Sequence, residues 1–215
     1  MMVDVIVDTV CPWCYVGKAR FEKALAMRPD QVVEIGWRPF QLNPNIPREG
    51  KERRAYLSEK FGGVDRARQR YSVIEDAGRQ EGIDFQFDRI EHTPNTVDSH
   101  RLIAFARRDG LQDAMVDALF RAYFTNGRNI GEIEVLADIA AETGLDGDAA
   151  RAYLASDEDR ATIIAEDEMA RSLGVNGVPC YIVDRKYAVS GAQSPEVFLQ
   201  IFDLARHEEQ RIAAE

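Results

Sequence analysis

Alternating apolar and acidic positions open the chain. Residues 3–8 read V-D-V-I-V-D, a period of two that predicts a strand over residues 3–7. Pro12 suits the first turn of a helix, where a missing N–H costs nothing. Phe21, Ala24 and Leu25 then supply that helix with an apolar side. Residues 31–40, Q-V-V-E-I-G-W-R-P-F, predict a second strand. Strand, helix, strand implies a parallel pair joined by a right-handed crossover.

The pattern changes after residue 41. Pro44, Pro47 and Gly50 mark residues 42–50 as loop. From 51 to 174 the spacing is helical. Val116, Leu119, Phe120, Tyr123 and Phe124 fall at i, i+3, i+4, i+7 and i+8, and Ile133, Leu136, Ala137 and Ala140 repeat the stripe. Packing in a core is the expected role of these aromatics. A further helix over 158–174 ends at Gly174, in the place of a C′ glycine. Strands return at 180–183 and 187–189, on either side of Asp184, Arg185 and Lys186, which reads as an antiparallel hairpin. Ser194, Pro195 and Glu196 start a last helix, with Phe198, Ile201, Phe202 and Ala205 on its buried side. Glu208 and Glu209 read as its solvated end. There is no internal repeat. The order is β-α-β, a block of helices, then β-β-α. We expect an α/β fold of a single domain over residues 1–215. Residues 1–44 and 175–215 form the two halves of one sheet with helices on its faces, and 45–174 form a helical insertion.

Composition narrows the partners. With 37 acidic against 27 basic residues the formal net charge is −10, and no basic run is longer than Arg53–Arg54 or Arg107–Arg108. This argues against nucleic acid, which needs a basic footprint, and against an anionic membrane surface. No apolar run approaches the roughly 20 residues of a membrane span. The N-terminus has no basic region before its short apolar run, so no signal peptide is expected there and the cytoplasm is the expected location. In a reducing compartment a cysteine pair is catalytic or metal-binding rather than a structural staple.

The pair is Cys11 and Cys14, with Pro12 and Trp13 between them. A tetrahedral metal site needs four ligands. The chain offers this one C-x-x-C, the distant Cys180 and three histidines (His92, His100, His207), with no second pair. No metal is expected. Redox chemistry fits better. Cys11 stands at a helix N-terminus, where free N–H groups and the dipole favour a thiolate. Cys14 lies one turn on. An exposed first thiol and a sheltered second one make an attacking and a resolving sulfur. Val178–Pro179 precedes the hairpin, and an X–Pro bond is where a cis peptide occurs. Asp8, at the end of the first strand, is either a modulator of these thiols or a solvated strand end. His100 either lines the cleft facing Cys11 or is a surface or satisfied group. Trp13 either contacts substrate or packs on the insertion. Cys180 is either a third redox thiol or a small buried hydrophobe.

Cys-Pro-Trp-Cys opening the first helix and Gly-Val-Pro before the hairpin resemble the thioredoxin superfamily, and specifically its DsbA-like branch. Residues 11–18 (C-P-W-C-Y-V-G-K), 37–44 (W-R-P-F-Q-L-N-P), Asn95–Thr96 with Ser99, His100 and Arg101, and 189–193 (V-S-G-A-Q) resemble its cytosolic FrnE-type subgroup. The resemblance spans nearly the whole chain. It implies a thioredoxin fold with inserted helices and a thiol–disulfide oxidoreductase. Cys11 is then the nucleophile, Cys14 the resolving thiol and Pro179 a cis-proline against the substrate backbone. Pro12, Trp13, Val178, Gln193 and His100 join it in contacting substrate. Expected substrates are a disulfide-containing protein, a glutathione adduct or a small molecule. Glutathione is a co-substrate rather than a tightly bound cofactor, and related folds dimerise through the insertion. The kappa-type glutathione transferases and hydroxychromene-carboxylate isomerases share the architecture but carry serines where this chain has Cys11 and Cys14. They supply the alternative, a glutathione-dependent transferase or isomerase, with Gly191, Ala192, Gln193 and Ser194 either binding glutathione or simply capping a helix.

Overall fold

The structure, a computed structural model, describes residues 1–213. Strand β1 (Met2–Val7), helix α1 (Pro12–Ala26) and strand β2 (Glu34–Pro39) follow one another as the alternation and the helix-opening proline predict. β1 and β2 are parallel, with Val5 opposite Trp37 and Val7 opposite Pro39. β2 starts later than residue 31 because pairing ends at Met1, whose carbonyl takes the Glu34 N–H; Val32 beyond it is 87% exposed.

The middle of the chain carries the expected helices with one exception. After the loop come β3 (Lys51–Glu52), α2 (Arg53–Phe61), α3 (Val64–Gln80), β4 (His92–Thr93), α4 (Val97–Ala106), α5 (Gln112–Phe120), α6 (Ile133–Glu142), α7 (Gly147–Ala155) and α8 (Arg160–Ser172). β3 and β4 form a two-residue antiparallel ladder, Lys51 opposite Thr93 and Glu52 opposite His92. The expected all-helical block therefore contains a small sheet of its own, too short for any periodicity to register. α5 passes into a π-helical turn, Arg121–Thr125.

β5 (Cys180–Val183) and β6 (Tyr187–Ser190) make the antiparallel hairpin, with Asp184 and Arg185 in left-handed backbone at its tip. Helix α9 runs Pro195–Ala213. The sheet order is β2-β1-β5-β6, so β1 is central and the two ends of the chain meet on it. This is a thioredoxin-like sheet with a helical insertion.

One apolar cluster joins the sheet to the insertion. It contains Val3, Val5 and Val7 of β1, Cys14 and Phe21 of α1, Leu119 and Phe120 of α5, and Phe198 and Phe202 of α9. The opposite sheet face carries a smaller cluster under α8: Ile6, Phe40, Ala170, Val175 and Cys180. Burial of this apolar area is the main stabilising term, about 25 cal/mol per Å². Charged side chains inside it are compensated. Lys18 is 1% exposed and holds Asp117 (2.9 Å), Asp113 (3.3 Å) and Glu22. Burial alone would push its ammonium down; the three carboxylates overcome that and hold it above the usual lysine value. Glu208 is not the solvated helix end expected of it. It accepts hydrogen bonds from Lys186 (2.8 Å) and the Tyr187 hydroxyl, tying α9 to the hairpin. The side chain of Glu209 lies outside the described residues.

Candidate active site

Cys11 is the N-cap of α1, in extended backbone, and Pro12 follows as the first helical residue. The Asp8 carbonyl accepts the Cys11 N–H at 3.0 Å, and the Cys11 carbonyl accepts the Cys14 N–H at 3.0 Å. This hooks the end of β1 directly into the helix. Both cysteines are free thiols, and they lie close to each other without being bonded. Cys14 is wholly buried. Cys11 was expected to be exposed, yet only 4% of it is. The loop before β5 closes over it: the Cys11 thiol donates to the Val178 carbonyl at 3.5 Å. Burial, then the neighbouring Cys11, push the Cys14 thiol well above its ordinary range.

The Val178–Pro179 peptide is cis. Pro179 is buried against α1 at Gly17, where an added Cβ would meet Pro179 Cγ at 2.8 Å and Tyr181 Oη at 2.7 Å. The bare Cα of Gly17 is what lets the proline loop lie beside the cysteines.

Asp8 is fully buried, not a solvated strand end. Its carboxylate accepts the Leu42 N–H at 2.7 Å and the Val10 N–H at 3.4 Å. His100 comes from α4 and is buried too. Its Nε2 faces two acceptors, the Phe40 carbonyl (3.3 Å) and Asp8 Oδ1 (3.7 Å), so that nitrogen carries hydrogen. Next to it Ser99 Oγ meets Thr9 Oγ1 at 2.7 Å. The insertion thus backs the strand end that carries the dithiol. Arg101, third in that stretch, serves another purpose. It is fully buried and donates to the carbonyls of Tyr153, Leu154, Ser156 and Glu158, which pins α4 to the end of α7.

A family model of the DSBA-like thioredoxin domain matches residues 2–203. The chain belongs to that family. A DSBA-like relative solved in the crystal, a probable DsbA oxidoreductase SCO1869 from Streptomyces coelicolor, is 36% identical, with a TM-score of 0.88 over 97% of this chain and 91% of its own. The uncharacterized protein YwbO of Bacillus subtilis (strain 168) is 28% identical over 91% of this chain and 92% of its own. The cytosolic disulfide reductase DsbM from Pseudomonas aeruginosa, solved with GSH, is 19% identical. Its fold matches with a TM-score of 0.66 over 99% of this chain and all of its own.

Other expected site residues of this DSBA-like chain are distributed as follows. Pro12 and Trp13 are half-buried at the mouth of the helix, and Trp13 packs against the main cluster. Gln193 is exposed and uses its amide on the Ser190 carbonyl at 2.8 Å. Cys180 packs in the cluster under α8, across the sheet from Cys14. That is the placement of a small buried hydrophobe. The carboxylates of Glu22, Asp113 and Asp117 lie within 4.8 Å of one another, and the ammonium of Lys18 already bridges them. Two residues at the site were given no role in the sequence: Gly17, which stands inside the C-P-W-C-Y-V-G-K stretch as a glycine within a helix, and Tyr181. On a strand, Tyr181 points away from Cys180 and so toward the dithiol face.

Proposed function

We propose that this chain is a thiol–disulfide oxidoreductase acting through Cys11 and Cys14. The observation that carries this is the neighbouring pair of free thiols at the start of α1, with Cys14 sealed and Cys11 under the Val178 carbonyl. The sulfur of Cys11 attacks a substrate disulfide. A Cys11–substrate S–S bond forms and the other substrate sulfur leaves as a thiol. Cys14 then gives up its proton and attacks Cys11, closing the internal disulfide and releasing the second substrate sulfur. Two electrons pass from dithiol to substrate, and the reverse sequence oxidises a substrate dithiol. Free N–H groups at the helix start stabilise negative charge on Cys11.

Pro12, Trp13, Val178 and Pro179 form the rim that a substrate backbone meets, with Gln193 at its edge. Asp8 and His100 hold the floor. Substrates are a disulfide-bearing protein, a glutathione adduct or a small disulfide. Glutathione serves as co-substrate, in line with the GSH bound by the DsbM reductase. No helix among the described residues is long and apolar enough to cross a membrane, and action in the cytoplasm is part of this proposal.

A redox titration of the pair in glutathione buffers, read by Trp13 fluorescence, tests the reading. The expected outcome is one two-electron transition, whose midpoint, compared with a cytosolic poise of about −220 to −320 mV, gives the direction of electron flow. If Cys11 stops at a glutathione adduct and no internal disulfide forms, the reading falls and a glutathione-dependent transferase or isomerase takes its place.

A further inference from the structure

The hydroxyl of Tyr181 is buried and has no hydrogen-bond partner. Orphaned buried hydroxyls are uncommon, because leaving one unpaired costs free energy that a phenylalanine would avoid. The ring itself is well placed without it, packed on Phe21 (centroids 5.2 Å apart) and Phe198 (4.7 Å). Something other than packing accounts for the oxygen.

Its position suggests what. The oxygen lies 2.7 Å from where a Cβ of Gly17 would stand. Gly17 is three residues along α1 from Cys14, and residues at i and i+3 are neighbours on a helix face, with Cβ positions about 5–6 Å apart. Phe21, one turn beyond Gly17, continues that face. The phenol therefore lies over the same face of α1 as Cys14, inside the same apolar cluster and just beyond hydrogen-bond reach of the uncharged thiol. A thiol is a weak acceptor; a thiolate is a strong one.

We propose that the Tyr181 hydroxyl is a hydrogen-bond donor for the Cys14 sulfur whenever that sulfur carries negative charge. The inference rests on the exchange reaction above only for its consequence: in the release step the departing substrate sulfur takes up the proton that Cys14 gives up, Cys14 attacks Cys11, and its charge needs stabilising in a site sealed from solvent. Tyr181 donates and does not transfer its proton. Burial, followed by the two site thiols, holds the phenol well above its ordinary range, so it stays a donor while Cys14 ionises. The titratable groups facing it are Cys14, Cys11 and Glu22 from α1; Cys180, next to it in its own strand, lies on the opposite face of the sheet and acts only through its charge. Those facing Cys14 are Cys11 and Asp8.

Tyr181→Phe removes the oxygen and nothing else. Two readouts on the full chain decide the matter. The first is the ¹³Cβ signal of Cys14 in the reduced protein, followed toward alkaline pH. In the variant, ionisation should begin about one pH unit later, the tenfold effect of one charge-assisted hydrogen bond. The second is release of thionitrobenzoate from a mixed disulfide on Cys11, which should slow about threefold at pH values below the Cys14 ionisation, the tenfold loss of thiolate being partly offset by its greater nucleophilicity. The thermal midpoint should stay level or rise, since an unpaired buried group is lost. Superimposed ¹³C curves overturn the donor role, whether or not the dithiol exchanges disulfides. A lower thermal midpoint overturns it as well, because the oxygen would then be holding the fold. If the unmodified chain releases no thionitrobenzoate while the ¹³C curves still differ, the donor role stands and the oxidoreductase reading falls.

Discussion

Gly17 shows how one missing carbon shapes the site. In an exposed helix interior Gly→Ala gains about 1 kcal/mol. Here the added methyl would stand 2.8 Å from Pro179 Cγ and 2.7 Å from Tyr181 Oη, both distances that real Cβ atoms do not show. The sign should invert. Gly17→Ala is expected to cost about 1–3 kcal/mol, the usual range for overpacking, read as a lower midpoint in urea. Alkylation of Cys11 should quicken too, as the proline loop is pushed off the sulfur. Cys11 and Cys14 stood out in the sequence as a candidate pair because C-x-x-C is a local spacing. Gly17 and Tyr181 did not, because each acquires its role from the other, 164 positions away in the chain. For Asp8 and His100 the sequence left two readings each. Burial of Asp8 against the Leu42 N–H removes its solvated reading, whereas His100, hydrogen-bonded to the Phe40 carbonyl, takes the place of a satisfied buried group.

Elements with a strong period were legible from start to finish. The stripe from Val116 to Phe124 is buried throughout, although α5 turns π-helical partway, a change of hydrogen bonding that apolar spacing does not encode. The β3–β4 ladder was invisible for the opposite reason: two residues make no period. Contacts between elements also escape pattern reading. Glu81, at the end of α3, accepts hydrogen bonds from Arg20 (2.7 Å) and Lys23 (2.5 Å) of α1. Burial pushes its carboxyl up, but these two cations overcome that and hold it below the ordinary carboxylate value of about 4.5. A depressed carboxylate stabilises the fold above its unfolded value and loses that contribution as pH falls through the folded one. Glu81→Gln should therefore cost about 1–2 kcal/mol at neutral pH. The gap between variant and parent should close as the solution is taken below pH 4, in urea melts run at each pH.

On the scale of the whole molecule, a single apolar cluster spans sheet, α1, insertion and α9, so the insertion has no separate core of that size on which to stand. One cooperative unfolding transition is expected, with far-ultraviolet circular dichroism and Trp fluorescence coinciding. Two separated transitions would mean that residues 45–174 fold independently.

The distance in sequence between the Cys11 sulfur and the Val178 carbonyl that covers it, 167 residues, has a consequence during synthesis. The dithiol leaves the ribosome 167 residues ahead of its cover. At about 5–20 residues per second, translation leaves a gap of roughly 10–30 s. For that interval both sulfurs hang on a nascent chain with no lid, open to any oxidant or reactive disulfide nearby. Each new molecule thus begins with both sulfurs unguarded, until the segment that closes over them has been made.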